Sequence, residues 1–205
     1  MKVLATLLVC ASLAALACPA PAEEKNASTL RAVSPDKKFA MRIVHEPGVD
    51  TEGEIDSSFI QGIDLVALPS RKVVAQLLPA EDVGLAFEGV KLLWSPDSQW
   101  CAFYFRSPRV GYTQVLRRRG GTFHPVNEPG QLRVDANTLV KGSDGVRNDY
   151  IEPQRWTKSG TLTLEQFAIV RTGDETVDVR LRLVAQWDAK RKRFRIVSKK
   201  ELSPE

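Results

Sequence analysis

Trp94-Ser95-Pro96-Asp97, followed after Ser98-Gln99 by Trp100-Cys101-Ala102-Phe103-Tyr104-Phe105, sets an aromatic residue, a polar turn and an apolar β-type run in immediate succession. Proline presets the first turn torsion, serine and aspartate bond neighbouring backbone groups, and the aromatic is placed to pack on a neighbouring sheet. Ser34-Pro35-Asp36 leads into Phe39-Ala40-Met41 in the same way, and Trp156-Thr157-Lys158-Ser159 leads into Thr161-Leu162-Thr163-Leu164. The spacing is regular: 61 residues from Ser34 to Ser95 and 62 from Ser95 to Thr157. A fixed period of this kind predicts stacked or radially arranged units.

Outward from these turns the chain reads as strands and hairpins. The first unit has Phe39 to Val44, then Ile63 to Leu68 and Lys72 to Leu78 around Pro69-Ser70-Arg71. The second has Leu92 to Trp94, Trp100 to Phe105, and Tyr112 to Leu116 joined to Thr122 to Val126 by Gly120-Gly121. The third has Thr161 to Leu164, Phe167 to Val170, and Val177 to Trp187 joined to Phe194 to Ser198 across Asp188-Ala189-Lys190. Alternation in Val177-Asp178-Val179-Arg180-Leu181-Arg182-Leu183 has period 2, the mark of a strand with one buried and one solvated face. The expectation is an all-β, antiparallel fold of three repeated β-units, propeller-like or stacked. Helix is confined to short turns at Glu81 to Phe87 and at Asp135 to Lys141, where Asp135 is placed to cap and Gly142 to stop. A single domain over 31–205 follows, with units at about 31–89, 90–153 and 154–205.

The two Ser-Pro-Asp turns with their following strands resemble the blade signature of the TolB-like and prolyl-oligopeptidase-type β-propellers, a W-S-P-D-G turn before an I-A-F strand, related in kind to the WD40 blade. The resemblance implies propeller-type packing of the units. Three features depart from it: Lys37 and Ser98 replace the glycine after aspartate, the third copy keeps only Trp156 and Ser159-Gly160, and three units do not close a ring. No family activity is carried over.

Met1-Lys2 and the apolar stretch Val3 to Ala17 read as a secretory leader ending at Ala20-Pro21-Ala22, so 1–22 is expected to be removed and 23–30 to act as a polar linker. The alternative is acylation at Cys18, which would anchor the chain to a membrane. The product is expected to be exported, periplasmic or secreted. Its only remaining cysteine is Cys101, so no internal disulfide forms and a small buried thiol is expected. Formal charge is +4 for 205 residues, with basic residues gathered at Arg117-Arg118-Arg119 and Lys190 to Arg193 with Arg195. Both runs fall at hairpin tips or strand edges, where charge blocks edge pairing. Nucleic acid is not an expected partner.

Catalytic patterns are sparse. Ser34-Pro35-Asp36-Lys37 formally matches S-x-x-K, but Pro35 at a strand turn does not provide the helix that motif needs, and no G-x-S-x-G accompanies His45 or His124, both read as surface or loop residues. No catalytic residue, metal ligand or cofactor is assigned. The densest ligand set is Asp50, Glu52, Glu54 and Asp56, read as a solvated acidic loop because Ile55 and Gln61 occupy the positions that a twelve-residue calcium loop reserves for glycine and glutamate. A second polar loop, Lys141 to Glu152, contributes Asp149 and Tyr150. These six residues are the candidate ligand-binding set. The function expected is a non-enzymatic binding or scaffold domain for a protein or glycan partner, and self-association is compatible with it. The alternative is a carbohydrate-active hydrolase pairing Glu52 or Glu54 with Asp149.

Overall fold

The Ser95 turn and the Ser34 turn close their hairpins with the same bonds. Ser95 N–H donates to the Trp100 carbonyl at 2.9 Å, Trp100 N–H returns to Ser95 Oγ at 3.0 Å, and the Ser95 hydroxyl donates to Asp97 Oδ1 at 2.6 Å. The corresponding distances around Ser34, Phe39 and Asp36 are 2.9, 3.0 and 2.7 Å. Lys37 and Ser98, at the position of the missing glycine, take left-handed backbone angles with φ of 57° and 54°.

The computed structural model describes residues 26–53, 55–78, 88–128 and 130–203, and these form an all-β molecule. β1 (Ala27–Arg31), β2 (Phe39–His45), β3 (Ile60–Ala67) and β4 (Val73–Leu78) make a four-stranded antiparallel meander. β5 (Gly89–Trp94), β6 (Trp100–Arg106), β7 (Val110–Arg119) and β8 (Thr122–Pro125) make a second. β9 (Gly145–Lys158), β10 (Thr161–Thr172), β11 (Glu175–Asp188) and β12 (Arg193–Glu201) make a third. Two parallel pairs, Val110 with Asp149 and Gly111 with Tyr150, join the second and third meanders into one eight-stranded sheet.

That sheet is curled. Trp100 on β6 lies 5.1 Å from the Trp187 ring on β11. Four strand steps separate the two in sheet order, which would set them about 19 Å apart in a flat sheet. Inside the curl Trp100, Ala102 and Val115 meet Leu162, Leu164, Leu181, Leu183 and Phe194. On the other face of β6, Cys101, Phe103 and Phe105 meet Phe39, Met41, Ile43, Ile63 and Leu65 of the first meander. β6 is thus covered on both sides, which is why Trp100 to Phe105 is apolar without alternation and buried at every position. β11 has one covered face, and its buried Val179, Leu181, Leu183 and Ala185 alternate with Asp178, Arg180 and Arg182. Each fully buried leucine or phenylalanine contributes about 1.5–3 kcal/mol.

Two aromatic triads tie the layers. Phe39, Trp94 and Phe123 meet at centroid distances of 6.3, 5.0 and 5.4 Å. Trp100, Trp156 and Phe194 meet in the same order of contacts at 6.5, 5.4 and 6.1 Å. A segment from Val126 to Val140 packs its Leu132 and Ala136 on the core inside the curl. Buried amides pin its start and its middle. Asn127 Oδ1 accepts from Val115 N at 2.7 Å, while Gln166 exchanges two bonds with the Val134 backbone at 2.9 and 2.8 Å.

Several expectations are corrected. The stretch read as linker over 23–30 contributes β1, paired to β2 along its whole length. The polar stretch 141–152 is a loop only to Asp144; from Gly145 it is β9, so the third meander starts nine residues before Gln154. His45 is not a surface residue: it is buried at the end of β2, and because Nδ1 faces the Glu46 carbonyl at 2.8 Å it carries the proton there, leaving Nε2 to accept from the Thr29 hydroxyl at 3.0 Å. Arg117 and Arg118 do more than guard an edge: Arg117 lies over Trp100 and Trp187, and Arg118 lies over Phe39 and pairs with Asp36. Asp135 does cap a turn, but the turn is 3-10, Ala136–Leu139. The leader, and the helical turn expected at Glu81 to Phe87, lie outside the described residues.

Candidate functional site

The six candidate residues fall in two separate places. Asp50 and Glu52 lie on the exposed loop between β2 and β3, where Asp50 Oδ1 accepts from Glu52 N at 2.8 Å. Arg31 draws this loop onto β1 by donating to the Thr51 carbonyl at 2.8 Å and to the Gly53 carbonyl. Asp56 caps the 3-10 turn Ser57–Phe59, accepting from Ser58 N at 2.9 Å and Ser58 Oγ at 2.8 Å. These Ser58 bonds hold its carboxyl below the usual range. Glu54 lies outside the described residues. Beside the loop Arg31, Met41, Ile43, Asp56, Ile60 and Val90 line an open groove of about 470 Å³.

Asp149 and Tyr150 sit where β9 meets β7, on opposite faces of the strand. Asp149 points inward, its side chain 11% exposed, with Oδ1 accepting from Gln166 Nε2 at 3.0 Å and Oδ2 paired to Arg133 at 3.3 Å. Burial raises its carboxyl pKa, against the opposing pull of Gln166 and Arg133. Tyr150 points outward, stacked on Phe167 with Arg106 over its ring. Its hydroxyl donates to the Pro108 carbonyl at 2.7 Å, and Asn148 Nδ2 reaches the same oxygen at 3.1 Å. Tyr150 is therefore a brace: it fixes the turn between β6 and β7 that carries Arg109. Gly111, its partner across the parallel junction, leaves room for Tyr104, whose hydroxyl would stand 2.5 Å from an added Cβ.

Beside this junction Arg109, Arg133, Asp135, Asn137, Arg147 and Asp149 are among the residues that line a groove of about 560 Å³. Among the described residues no carboxylate pairs with Arg109 or Arg147, whereas Arg133 is committed to Asp149. Such a groove can hold a polar or anionic group through the two free guanidiniums, the amides of Asn137 and Asn148 being engaged by Asp135 and Ser143 and by Pro108 and Tyr150.

Sequence reasoning missed the three arginines and Gln166. The arginines are scattered over 38 residues and meet only through the parallel junction. Gln166 did leave a signal: it occupies a core position in the series Leu162, Leu164, Gln166, Ala168, Val170, and a lone amide at core parity marks a buried polar contact.

The remaining reactive side chains serve the fold. Ser34 and Ser95 close turns, His45 is doubly bonded, and burial pushes the Cys101 thiol far up. Among the described residues no three His, Cys, Asp or Glu side chains stand close enough together to hold a metal ion, and no helix is long and apolar enough to cross a membrane. No known protein family, curated protein or solved structure matches this chain.

Proposed function

We propose that this chain is an exported, non-enzymatic binding domain that receives a protein or glycan ligand in the groove between β7, β9 and the segment before β9. The observation that carries the reading is the pair Arg109 and Arg147, opening on one groove without carboxylate partners while its two carboxylates are engaged elsewhere, Asp149 by Gln166 and Arg133 and Asp135 by Asn137. The framework supports it: the turn bearing Arg109 is braced by Tyr150 and Asn148, and rigid sheets presenting such turns suit recognition. Kinship with the TolB-like propellers belongs to the same proposal and rests on the two Ser-Pro-Asp turns.

A second reading attaches to Asp149 alone. A carboxyl raised by burial suits a general acid, as the hydrolase alternative requires. Of its proposed partners, however, Glu54 lies outside the described residues and Glu52 stands on the loop of the first meander, and the grooves beside Asp56 and beside Asp149 share no lining residue.

Amide shift mapping of the labelled protein against a panel of oligosaccharides and peptides tests the proposal. Shifts clustered at Arg109, Arg147 and Asn148, surviving Asp149→Asn, are the expected result. Turnover of a glycoside that disappears in a folded Asp149→Asn variant would replace binding with hydrolysis.

A further inference from the structure

The curled sheet has an outer face, and only half of it is covered. Over β5 to β7 it is buried by the first meander; over β9 to β12 no element of the described residues lies on it. Register shows what that open half carries. Arg155 pairs with Thr163, which pairs with Val184; Glu165 pairs with Arg182, which pairs with Lys200; Lys158 pairs with Thr161, and Gln186 with Arg195. All stand opposite the buried Leu162, Leu164, Leu181, Leu183 and Ala185, so three separate strands place their cations on one surface.

Most of the carboxylates on this surface are already used; exposed Asp178, paired with Ile169 near the start of β11, makes no ion pair with any described residue. Glu152 pairs with Lys91 at 2.8 Å, Glu165 with Arg180 at 3.0 Å, and Asp188 with Arg191 at 3.2 Å and more loosely with Arg195 at 3.8 Å. Arg155, Lys158, Arg182, Arg193 and Lys200 are exposed and make no ion pair with any described residue. Edge protection explains charge on β12 and on the half of β9 beyond its short junction with β7, but not Arg182, which is paired on both sides.

We propose that this outer face of β9 to β12 is a docking surface for an acidic polysaccharide. Charge complementarity favours an extended polyanion, because the cations are spread over three strands rather than gathered about one point. Exposed Gln186 and Ser198 stand among them as partners for sugar hydroxyls, and the Thr161 hydroxyl on this face is buried with no hydrogen-bond partner. The exposed large apolar side chains described on these strands are two valines, Val177 and Val197, with no exposed aromatic or leucine, so the surface lacks the wedge that membrane insertion uses. The inference is independent of the groove proposed above.

Heparin, a sulfated polysaccharide, is the probe, titrated into the full chain at increasing salt beside neutral dextran and phosphatidylglycerol vesicles. Heparin is expected to bind in about 50 mM salt with an affinity that falls steeply as salt rises, and dextran is expected not to bind. Arg182→Gln with Lys200→Gln should weaken heparin about tenfold or more and lower the salt slope by about two, with unchanged circular dichroism. Arg71→Gln with Lys72→Gln, an equal loss of charge on the exposed turn of the first meander, should leave it unchanged. Absence of heparin binding, equal binding by dextran, an unaffected Arg182/Lys200 variant, an equal loss in the Arg71/Lys72 variant, or tighter binding to the vesicles would each overturn the proposal.

Discussion

Trp156 stands to Leu93 as Trp94 stands to Ala32: each indole N–H donates to a backbone carbonyl of the preceding meander, at 3.1 and 2.5 Å, two residues before that meander's turn serine. Each ring then completes a triad with Trp100 and Phe194, or with Phe39 and Phe123. Replacing either tryptophan by alanine is expected to cost about 3–5 kcal/mol in urea unfolding. Phenylalanine should cost less, about 1–3 kcal/mol, because the carbonyl loses its donor while the packing is largely kept. Losses below a kilocalorie for both alanine variants would separate these rings from the stability of the layers.

Lys37 and Ser98 share a left-handed backbone that an L-residue adopts at a cost of about 1–2 kcal/mol. Their side chains differ in use. Lys37 is exposed, whereas buried Ser98 accepts from Asp36 N at 3.1 Å and so links the two turns. Lys37→Gly is therefore expected to raise the melting temperature by a few degrees, while Ser98→Gly gains nothing or loses stability because that bond goes with the hydroxyl. Equal gains at both positions would show that the Ser98 bond contributes nothing.

Gly111 has a different role, since an added methyl there would collide with the Tyr104 phenol rather than strain the backbone. The ring is buried, and burial first pushes its pKa up to about 12, so it stays neutral and cannot swing into water without loss. Gly111→Ala should destabilise by about 1–3 kcal/mol, and combining it with Tyr104→Phe, which removes only the oxygen, should recover part of that loss. Additive losses in the double variant would place the strain elsewhere.

Strand positions were legible wherever one physical cause dominated. Val177 to Leu183 alternates because one face is wet, and Trp100 to Phe105 is uniformly apolar because both faces are covered. Gly120-Gly121 marks its hairpin because both residues take positive φ. β1 was not legible: Ala27-Ser28-Thr29-Leu30-Arg31 is short and mixed, and its place comes from pairing with β2. Nor was β9, whose first half is polar because Asn148 and Tyr150 brace a turn and Asp149 meets Gln166. The groove escaped for the same reason, since a parallel junction joins residues that no local pattern links.

The acidic loop is expected to hold no structural metal. Asp50 and Asp56 each commit an oxygen to the backbone of their own loop, and Arg31 binds that loop through its carbonyls. Water and salt screen the exposed charges, with a Debye length of about 8 Å at physiological ionic strength. A true site would add stability as RT ln(1 + [L]/Kd). Thermal unfolding in chelator and in millimolar calcium should coincide, and Asp50→Asn with Glu54→Gln should melt like the parent. A calcium-dependent rise abolished by that double variant would assign the loop a cation.

Asp149 gives the fold a pH dependence of unusual sign. Burial raises its carboxyl above the ordinary value of 3.8, more than Gln166 and Arg133 lower it. Between the unfolded and folded pKa values the native state therefore binds more proton than the unfolded chain, and this residue's contribution to stability falls as pH rises through that window. Asp36 and Asp97 run the other way. Burial would raise each, but Ser34, Lys38 and Arg118 around Asp36, and Ser159, Ser95 and Gln99 around Asp97, bring both below the ordinary value, so their stabilisation is lost as pH falls. The two effects overlap in a simple pH titration of the wild type. They separate in the difference between wild type and Asp149→Asn, where the contributions of Asp36 and Asp97 cancel. Asparagine can still accept from Gln166, and half-exposed Arg133 can turn to solvent. Urea unfolding of both proteins from about pH 3 upward should show the variant gaining on the wild type as pH rises past the ordinary carboxyl value and holding that gain to neutrality. A variant that instead falls behind over the same range would mean that the Arg133 pair outweighs burial and that the carboxylate is charged by preference.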